Sequence, residues 1–459
     1  MPDFYKIITI FLAGFLLAGN SYGLILNDKK NNFLAISDIH FDPFYSCEKT
    51  PCKLALELKS ANSKDFKQIF EKYNNDQNLS KLKTTNYYLF KLSLKELNKI
   101  ANNENPQFVL VLGDMLAHQY KSNYRKYTKD YTKSGYEKFT KKIFEFLTLE
   151  LNTALPRTNI YPAVGNHDSY KGNYIVAPNG KFFRETNNTW SSFIKTNKQK
   201  QEFLKQFKYN GYYAIDLNSN FKLIMLNTVL FSPKSQNSAV RKAANEQLIW
   251  LTKQLKQAKN NDQKVLIAGH IPISLNLDIS IIMPYKLFNN FWKQKYSKRF
   301  STIAEKYSDL IVAFLPGHVH IDNFQFSIPN IKDKYIPIIF TPSISPNYGS
   351  NPAIKEFVYD PKDFHLLKFK RYYLPLDDNK SSWQHGTKFG AIYYENRREQ
   401  FFKNLVMHLT FRNYSFNLFT KYYSLYNPKR TDDEINVIYF WCGINTEDFK
   451  DYQKCISNK

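Results

Sequence analysis

Histidine and aspartate recur in this sequence at one kind of place, just after a short apolar run. The run 33–37 leads into Asp38-Ile-His40, and 108–112 leads into Gly113-Asp114, with His118 four residues past the aspartate. The run 160–164 leads into Gly165-Asn166-His167-Asp168, 265–268 into Gly269-His270, and 311–316 into Gly317-His318-Val-His320. Imidazole and carboxylate are donors that borderline divalent cations such as zinc, iron and manganese accept. Asp38, His40, Asp114, Asn166, His270, His318 and His320 give seven candidate ligands, a number that suits two cations sharing one carboxylate. Alternation in Asp38-x-His40 and His318-x-His320 would place both members of each pair on one side of an extended segment. A glycine before the ligand lets backbone approach an ion or phosphate with no Cβ in the way. A single histidine after an apolar run is most often an ordinary loop or core residue, but six of the nine histidines share this position. His365, His385 and His408 have no such context and are expected to be surface or packing residues.

The elements that must position these residues read as an α/β layered domain. Besides the five runs above, strands are expected at 223–226, 336–340 and 354–359, and helices at 87–101, 136–151, 245–258 and 288–307. Most strand candidates are nearly continuous apolar runs, as in sheets covered on both faces. In such proteins the strand ends at one sheet edge bring distant residues into a single crevice. The segment 389–426 is dense in aromatics and helix formers, so a C-terminal helical subdomain is expected over 376–459, after a catalytic domain over 24–375.

Composition narrows the class. The chain has 459 residues, 43% hydrophobic and 17% aromatic, which excludes an intrinsically disordered chain. Four cysteines cannot staple a chain of this length, which excludes a small disulfide scaffold. The net charge of +24 is spread along the chain and not gathered into one arm, which speaks against a charge-driven nucleic-acid function. The apolar run 7–18 is too short to span a bilayer, which takes about 20 residues, and has the length of a signal-peptide core. Small residues Ser21 and Gly23 suit cleavage there, giving a signal peptide over 1–23 and a secreted or lumenal product, periplasmic in a bacterium; a retained signal anchor is the alternative. Cys47 and Cys52 lie close together, as do Cys442 and Cys455, so two local disulfides are the simplest of three connectivities. Sequons stand at Asn78, Asn187, Asn379 and Asn413.

Taken in order and spacing, the five strand-end motifs resemble the calcineurin-like metallophosphoesterase superfamily. Asp38-Ile-His40-Phe-Asp42-Pro43-Phe-Tyr45, His118 after Gly113-Asp114, the segment Thr341-Pro-Ser-Ile-Ser-Pro-Asn-Tyr-Gly-Ser-Asn-Pro352 and Phe357-Val-Tyr-Asp360 resemble its acid sphingomyelinase-like phosphodiesterase branch, and Cys442 and Cys455 fit that branch. The resemblance implies two packed β-sheets flanked by helices, with two metals, usually zinc in that branch, at one sheet edge. It implies that Asp38, His40, Asp114 and His320 hold the first metal, and that Asp114, Asn166, His270 and His318 hold the second. Two such ions would polarise a water and clamp phosphoryl oxygens. His167 is then the candidate proton donor to the leaving oxygen, Asp168 a candidate for orienting its ring, and His118 a second candidate for touching phosphate or leaving group.

Acid sphingomyelinase carries a saposin-type domain ahead of its catalytic domain, and Asp38, only 15 residues after the expected cleavage at Gly23, leaves no room for one. The leading expectation is therefore an exported, monomeric hydrolase of soluble phosphoesters or phosphoanhydrides such as nucleotides. A sphingomyelinase working at a membrane surface is the first alternative, with Phe401, Phe402, Phe416, Phe419, Tyr422 and Tyr423 as candidate lipid contacts. An endopolyphosphatase is the second, and an inactive binding protein on the same fold is the reading from another class. The basic excess would steer polyanionic phosphates toward an acidic cleft.

Overall fold

The structure is a computed structural model that describes residues 31–73, 79, 82–235, 237–273, 290–327, 336–376, 382–386, 442 and 449–457. The expected signal peptide, the sequons Asn78, Asn379 and Asn413, the six C-terminal aromatics, His408 and the side chain of Cys455 lie outside these residues. The strands are β1 (Asn31–Ile36), β2 (Phe108–Val111), β3 (Asn159–Pro162), β4 (Tyr213–Asp216), β5 (Phe221–Met225), β6 (Lys264–Ala268), β7 (Ile311–Leu315), β8 (Phe324–Ser327), β9 (Ile336–Ile339), β10 (Ala353–Tyr359), β11 (Leu366–Tyr373) and β12 (Gln384–His385). The helices are α1 (Lys53–Ser60), α2 (Phe66–Tyr73), α3 (Tyr87–Glu104), α4 (Tyr120–Thr128), α5 (Lys133–Ala154), α6 (Lys181–Trp190), α7 (Asn197–Asn210), α8 (Ser238–Asn260), α9 (Gln294–Lys306) and α10 (Phe449–Ser457).

Two six-stranded sheets result, in the orders β12-β11-β10-β1-β2-β3 and β4-β5-β6-β7-β9-β8. β1, β2 and β3 pair in parallel, as do β5, β6, β7 and β9, while β10, β11 and β12 in the first sheet and β4 and β8 in the second join by antiparallel pairing. All eight expected strands form. β4, β8 and β11 were not anticipated, for physical reasons: β11 interleaves Lys368, Lys370 and Arg371 with its apolar residues, and β4 and β8 are only four residues long. β12 pairs with β11 through His385 and Gln384, so the first sheet continues past residue 375, the expected domain boundary.

Local chemistry sets the helix ends. Asn86 caps α3 by accepting from Leu89 N at 2.9 Å, and Asn237 caps α8 by accepting from Val240 N at 2.9 Å. The second cap starts α8 seven residues before the periodic stretch that betrayed it. α7 packs on β4, and α8 packs on β5 and β6. Phe90 of α3 and Phe146 of α5 close on Phe41, just beyond β1, at 5.3 and 5.8 Å between ring centroids. The expected Cys47–Cys52 disulfide is present, and Cys52 N donates to Tyr127 O at 2.8 Å, which fastens this loop to α4. Asn187 is buried on α6, where a glycan has no room in the folded chain.

A ladder of rings crosses the first sheet. Phe33 on β1 stacks on Phe108 of β2 at 4.7 Å and on Phe357 of β10 at 4.9 Å. Behind the last site loop, Asp322 accepts from Lys355 Nζ of β10 and from Arg371 of β11, both at 2.7 Å, joining the segment after β7 to the other sheet. Phe33→Ala is expected to lower stability by about 3–5 kcal/mol, the cost of a large cavity in a packed core. Chemical denaturation followed by circular dichroism measures it.

Candidate metal centre

Every candidate donor sits on a loop leaving the C-terminal end of a parallel strand: β1, β2, β3, β6 or β7. Main-chain hydrogen bonds carry the sheet pattern into these loops. Asp38 N donates to Gly113 O at 3.0 Å, His40 N to Asp114 O at 2.9 Å, and Gly317 N to His270 O at 3.0 Å. Ser345 N donates to Asp38 O at 3.0 Å, linking the loop after β9 to the loop after β1. Asp38 and His40 do share a side, but not through extended backbone. Asp38, His40, Asp114, His318 and His320 all have positive φ, between 45° and 74°, so alternate residues turn inward at left-handed positions. Glycine serves close approach: a Cβ on Gly165 would overlap the backbone nitrogen of Asp114, and one on Gly317 would overlap Ser37 Oγ.

Two groups of donor atoms form. In the first, His320 Nε2 lies 3.2 Å from Asp38 Oδ1 and 3.0 Å from His40 Nε2. In the second, His270 Nε2 lies 3.1 Å from Asp114 Oδ2, 3.0 Å from Asn166 Oδ1 and 3.3 Å from His318 Nδ1. Asp114 Oδ2 also lies 3.6 Å from His40 Nε2, between the groups, while its other oxygen accepts from His167 N at 2.8 Å. The rings are aimed from behind. His40 Nδ1 donates to Leu116 O at 3.0 Å and His270 Nδ1 to Leu112 O at 2.7 Å, which leaves both Nε2 lone pairs facing inward.

These donors fit a pair of divalent cations. Ligand bonds of about 2.0–2.2 Å put neighbouring donors roughly 3 Å apart, the spacing seen in both groups. Asp38 Oδ1 is buried and accepts no hydrogen bond, as expected of an oxygen reserved for an ion. Burial opposes charge on Asp38, yet His320 and His270 outweigh it and hold the carboxyl well below its usual range. Asp114 is likewise lowered against burial, by His270 and His167. Burial disfavours a proton on His270, but Asp114 and Asp38 overcome it and raise the ring to about 9. Burial, helped by His270, pushes His318 down to about 3. The seam thus sets two ionised carboxylates beside a protonated His270, whose second proton a divalent cation would displace.

His167 and His118 stand beside the donors. His118 stacks on His40 at 4.2 Å and meets His167 edge-on at 4.5 Å between centroids. Asn347 Nδ2 donates to His118 Nδ1 at 2.9 Å, so a neutral His118 carries its proton on Nε2. Burial lowers His167 to about 4 and His118 to about 3. Asp168 does not take the expected position against His167. Its buried carboxylate accepts from Met115 N at 2.9 Å, Leu116 N at 3.3 Å and Gly165 N at 2.9 Å, so it braces the loops after β2 and β3. His365 and His385 are exposed and apart from the site.

Two orienting residues escaped the sequence reading. Asn173 accepts from Asn166 Nδ2 at 2.7 Å, which turns Asn166 Oδ1 toward the donors, and Tyr174 Oη lies 3.3 Å from His318 Nε2. Only their place in the loop after Asn166 could have pointed to them.

Two buried donor groups about one shared carboxylate, on strand-end loops of two packed sheets, define a metal-dependent hydrolase of phosphoric esters. The chain belongs to the calcineurin-like phosphoesterase family, whose description matches residues 32–322. It is 26% identical over 391 residues to the sphingomyelinase phosphodiesterase D of Dictyostelium discoideum, covering 80% of this chain and 81% of that one. It is 24% identical over 382 residues to the mouse acid sphingomyelinase-like phosphodiesterase 3b, covering 80% and 74%. It is also 27% identical over 252 residues to the cyclic GMP-AMP phosphodiesterase SMPDL3A of Bos taurus, covering 52% of this chain and 53% of that protein, about half its length. These relatives place the chain in the sphingomyelinase-like branch. Among the described residues no helix is long and apolar enough to cross a membrane.

Asn173→Ala is expected to weaken binding of the cation held by Asp114, Asn166, His270 and His318 by about 10–100-fold, the usual effect of losing a ligand's orienting partner. Metal titration into the chelated protein measures it.

Proposed function

We propose that the chain hydrolyses soluble phosphodiesters and phosphoanhydrides, nucleotides among them, with two divalent cations, zinc by its resemblance to that branch. The observation that carries this reading is Asp114, with one oxygen between the two donor groups. Asp38, His40, Asp114 and His320 hold one cation, and Asp114, Asn166, His270 and His318 the other. When bound, the pair supplies Lewis-acid polarisation of the phosphoryl group and of the attacking water. His40 and His270 keep their carbonyl-anchored rings turned inward, so the phosphoryl group meets a site that needs little rearrangement. His167 lies beside this site on its exposed side and delivers the proton to the leaving oxygen. His118, with its proton on Nε2, contacts the phosphoryl group or leaving group.

Its relatives include both a cyclic GMP-AMP phosphodiesterase and a sphingomyelinase phosphodiesterase, which supports a nucleotide substrate and keeps sphingomyelin as the second reading. The same reading takes 1–23 as a signal peptide, carries the catalytic domain from 24 past the expected limit of 375 to include β12, and makes the remainder to 459 a helical subdomain with a Cys442–Cys455 disulfide. It makes the product a secreted or lumenal monomer, and the Cys47–Cys52 disulfide supports an oxidising compartment.

His167→Ala is expected to cut turnover of an alkyl phosphodiester by about 10²–10⁴-fold and to affect p-nitrophenyl esters far less, because that leaving group departs without a proton. Bound metal, measured by mass spectrometry, should stay unchanged. Equal losses on both substrates, or loss of metal, would remove His167 from this role.

A further inference from the structure

Most nitrogen-bearing side chains of the donor set have a partner that turns them: His40 and His270 a main-chain carbonyl, Asn166 the side chain of Asn173, His318 the hydroxyl of Tyr174. His320 differs, because its ring is buried and its Nδ1 has no hydrogen-bond partner among the described residues. Its Nε2 nevertheless points at Asp38 Oδ1, 3.2 Å away. The direction of that ring has to come from the backbone of its loop, which is left-handed at His320 with φ 59°.

Two residues further on, the same loop runs into a buried charge cluster. Asp322 Oδ1 accepts from Lys355 Nζ of β10, and Asp322 Oδ2 accepts from Arg371 Nη1 of β11, both at 2.7 Å. All three side chains are buried. Lys355 Nζ also donates to Phe340 O at 2.9 Å and lies 3.9 Å from the Phe369 ring centroid, so the ammonium has one fixed place. Thr341 N donates to Pro316 O at 2.8 Å and Phe340 N to Asn323 O at 2.9 Å, which fastens both ends of the His320 loop to the chain after β9. Lys355 grips the loop and that chain together, and it does so from the first sheet. There it lies opposite Ala35 of β1, the strand that runs into Asp38 and His40. The cluster therefore ties His320 to the strand that presents two of its three partners around one cation.

Such a cluster is a poor source of stability by itself. Taking charges out of water is costly, and apolar residues of similar volume often serve a fold as well or better. Charge-assisted hydrogen bonds add direction, because they are short and geometrically demanding. Burial pulls Lys355 down to about 8, with Asp322 opposing, so the ammonium keeps its charge at neutral pH.

We propose that Asp322, gripped by Lys355 and Arg371, is a positioning residue for His320, and that this cluster sets the affinity for the cation assigned to Asp38, His40, Asp114 and His320. The inference rests on the reading of the metal centre given above. His318 shares the loop but serves the other cation, and it has bonds of its own: its N donates to Asp38 Oδ2 at 2.9 Å and its Nε2 faces Tyr174 Oη. Loss of the cluster falls on one cation and spares the other.

Zinc titration of the chelated full chain against a chromophoric chelator resolves the two binding steps, and His320→Ala marks the step that belongs to the first cation. Two variants are then compared with the native chain. Asp322→Asn removes the carboxylate charge, and the triple variant Asp322→Leu, Lys355→Met, Arg371→Met replaces the whole cluster by apolar side chains. In both, the step marked by His320→Ala is expected to weaken about 10–100-fold, the usual effect of losing the support behind a ligand, while the other step holds. Circular dichroism of the chelated proteins identifies the variants that fold, and either folded variant decides the matter. Native affinity at both steps in a folded variant makes the cluster a packing device and overturns the proposal, as does equal weakening of both steps or a loss confined to the other step. If neither variant folds, the cluster serves the fold and the proposal falls. A native chain with fewer than two binding steps overturns the reading of the centre and this proposal with it, a failure seen before any variant is compared.

Discussion

Two carboxylates buried in the seam between two sheets set the terms for the rest of this protein. Asp38 and Asp114 have almost no contact with water, and burying such groups is costly unless charge and hydrogen bonds compensate. The compensation comes from loops that are distant in sequence. Parallel strand order brings the C-terminal ends of β1, β2, β3, β6 and β7 to one edge, which gathers His40, His270, His318 and His320 about the acids. The aromatic ladder, the Asp322 clasp on Lys355 and Arg371, and the Asp168 brace are the means by which that edge is held.

Holding it also means holding strain. Five non-glycine site residues occupy left-handed backbone, a conformation that costs about 1–3 kcal/mol each when the surroundings impose it. Main-chain bonds from both sheets fix these turns, and the close contacts at Gly165 and Gly317 leave little room to relax. The donor set is thereby held by backbone, with the His40 and His270 rings anchored to Leu116 O and Leu112 O.

Much of this was legible in the sequence because donor type and order survive without geometry. Apolar run followed by Gly-Asp, Gly-Asn-His-Asp or Gly-His-x-His names both the strand and what it presents. What stayed hidden depends on backbone angle or on partners far away. Alternation in Asp38-x-His40 suggested an extended segment, but left-handed turns produce the same result. Asp168 looked like a partner for its neighbour's ring and instead satisfies three backbone donors. β11 was obscured by its charges, although Arg371 spends its charge in a buried pair.

The order in which the donors appear along the chain has a consequence for biosynthesis. Asp38 is made early, His320 almost three hundred residues later, and Ser345, which bonds Asp38 O, later still. A ribosome-bound or truncated chain ending before β7 therefore exposes its early acids to solvent with half of their imidazoles missing. Only when β7 and the loop after β9 are in place do His318, His320 and the Ser345 bond complete the surroundings of Asp38.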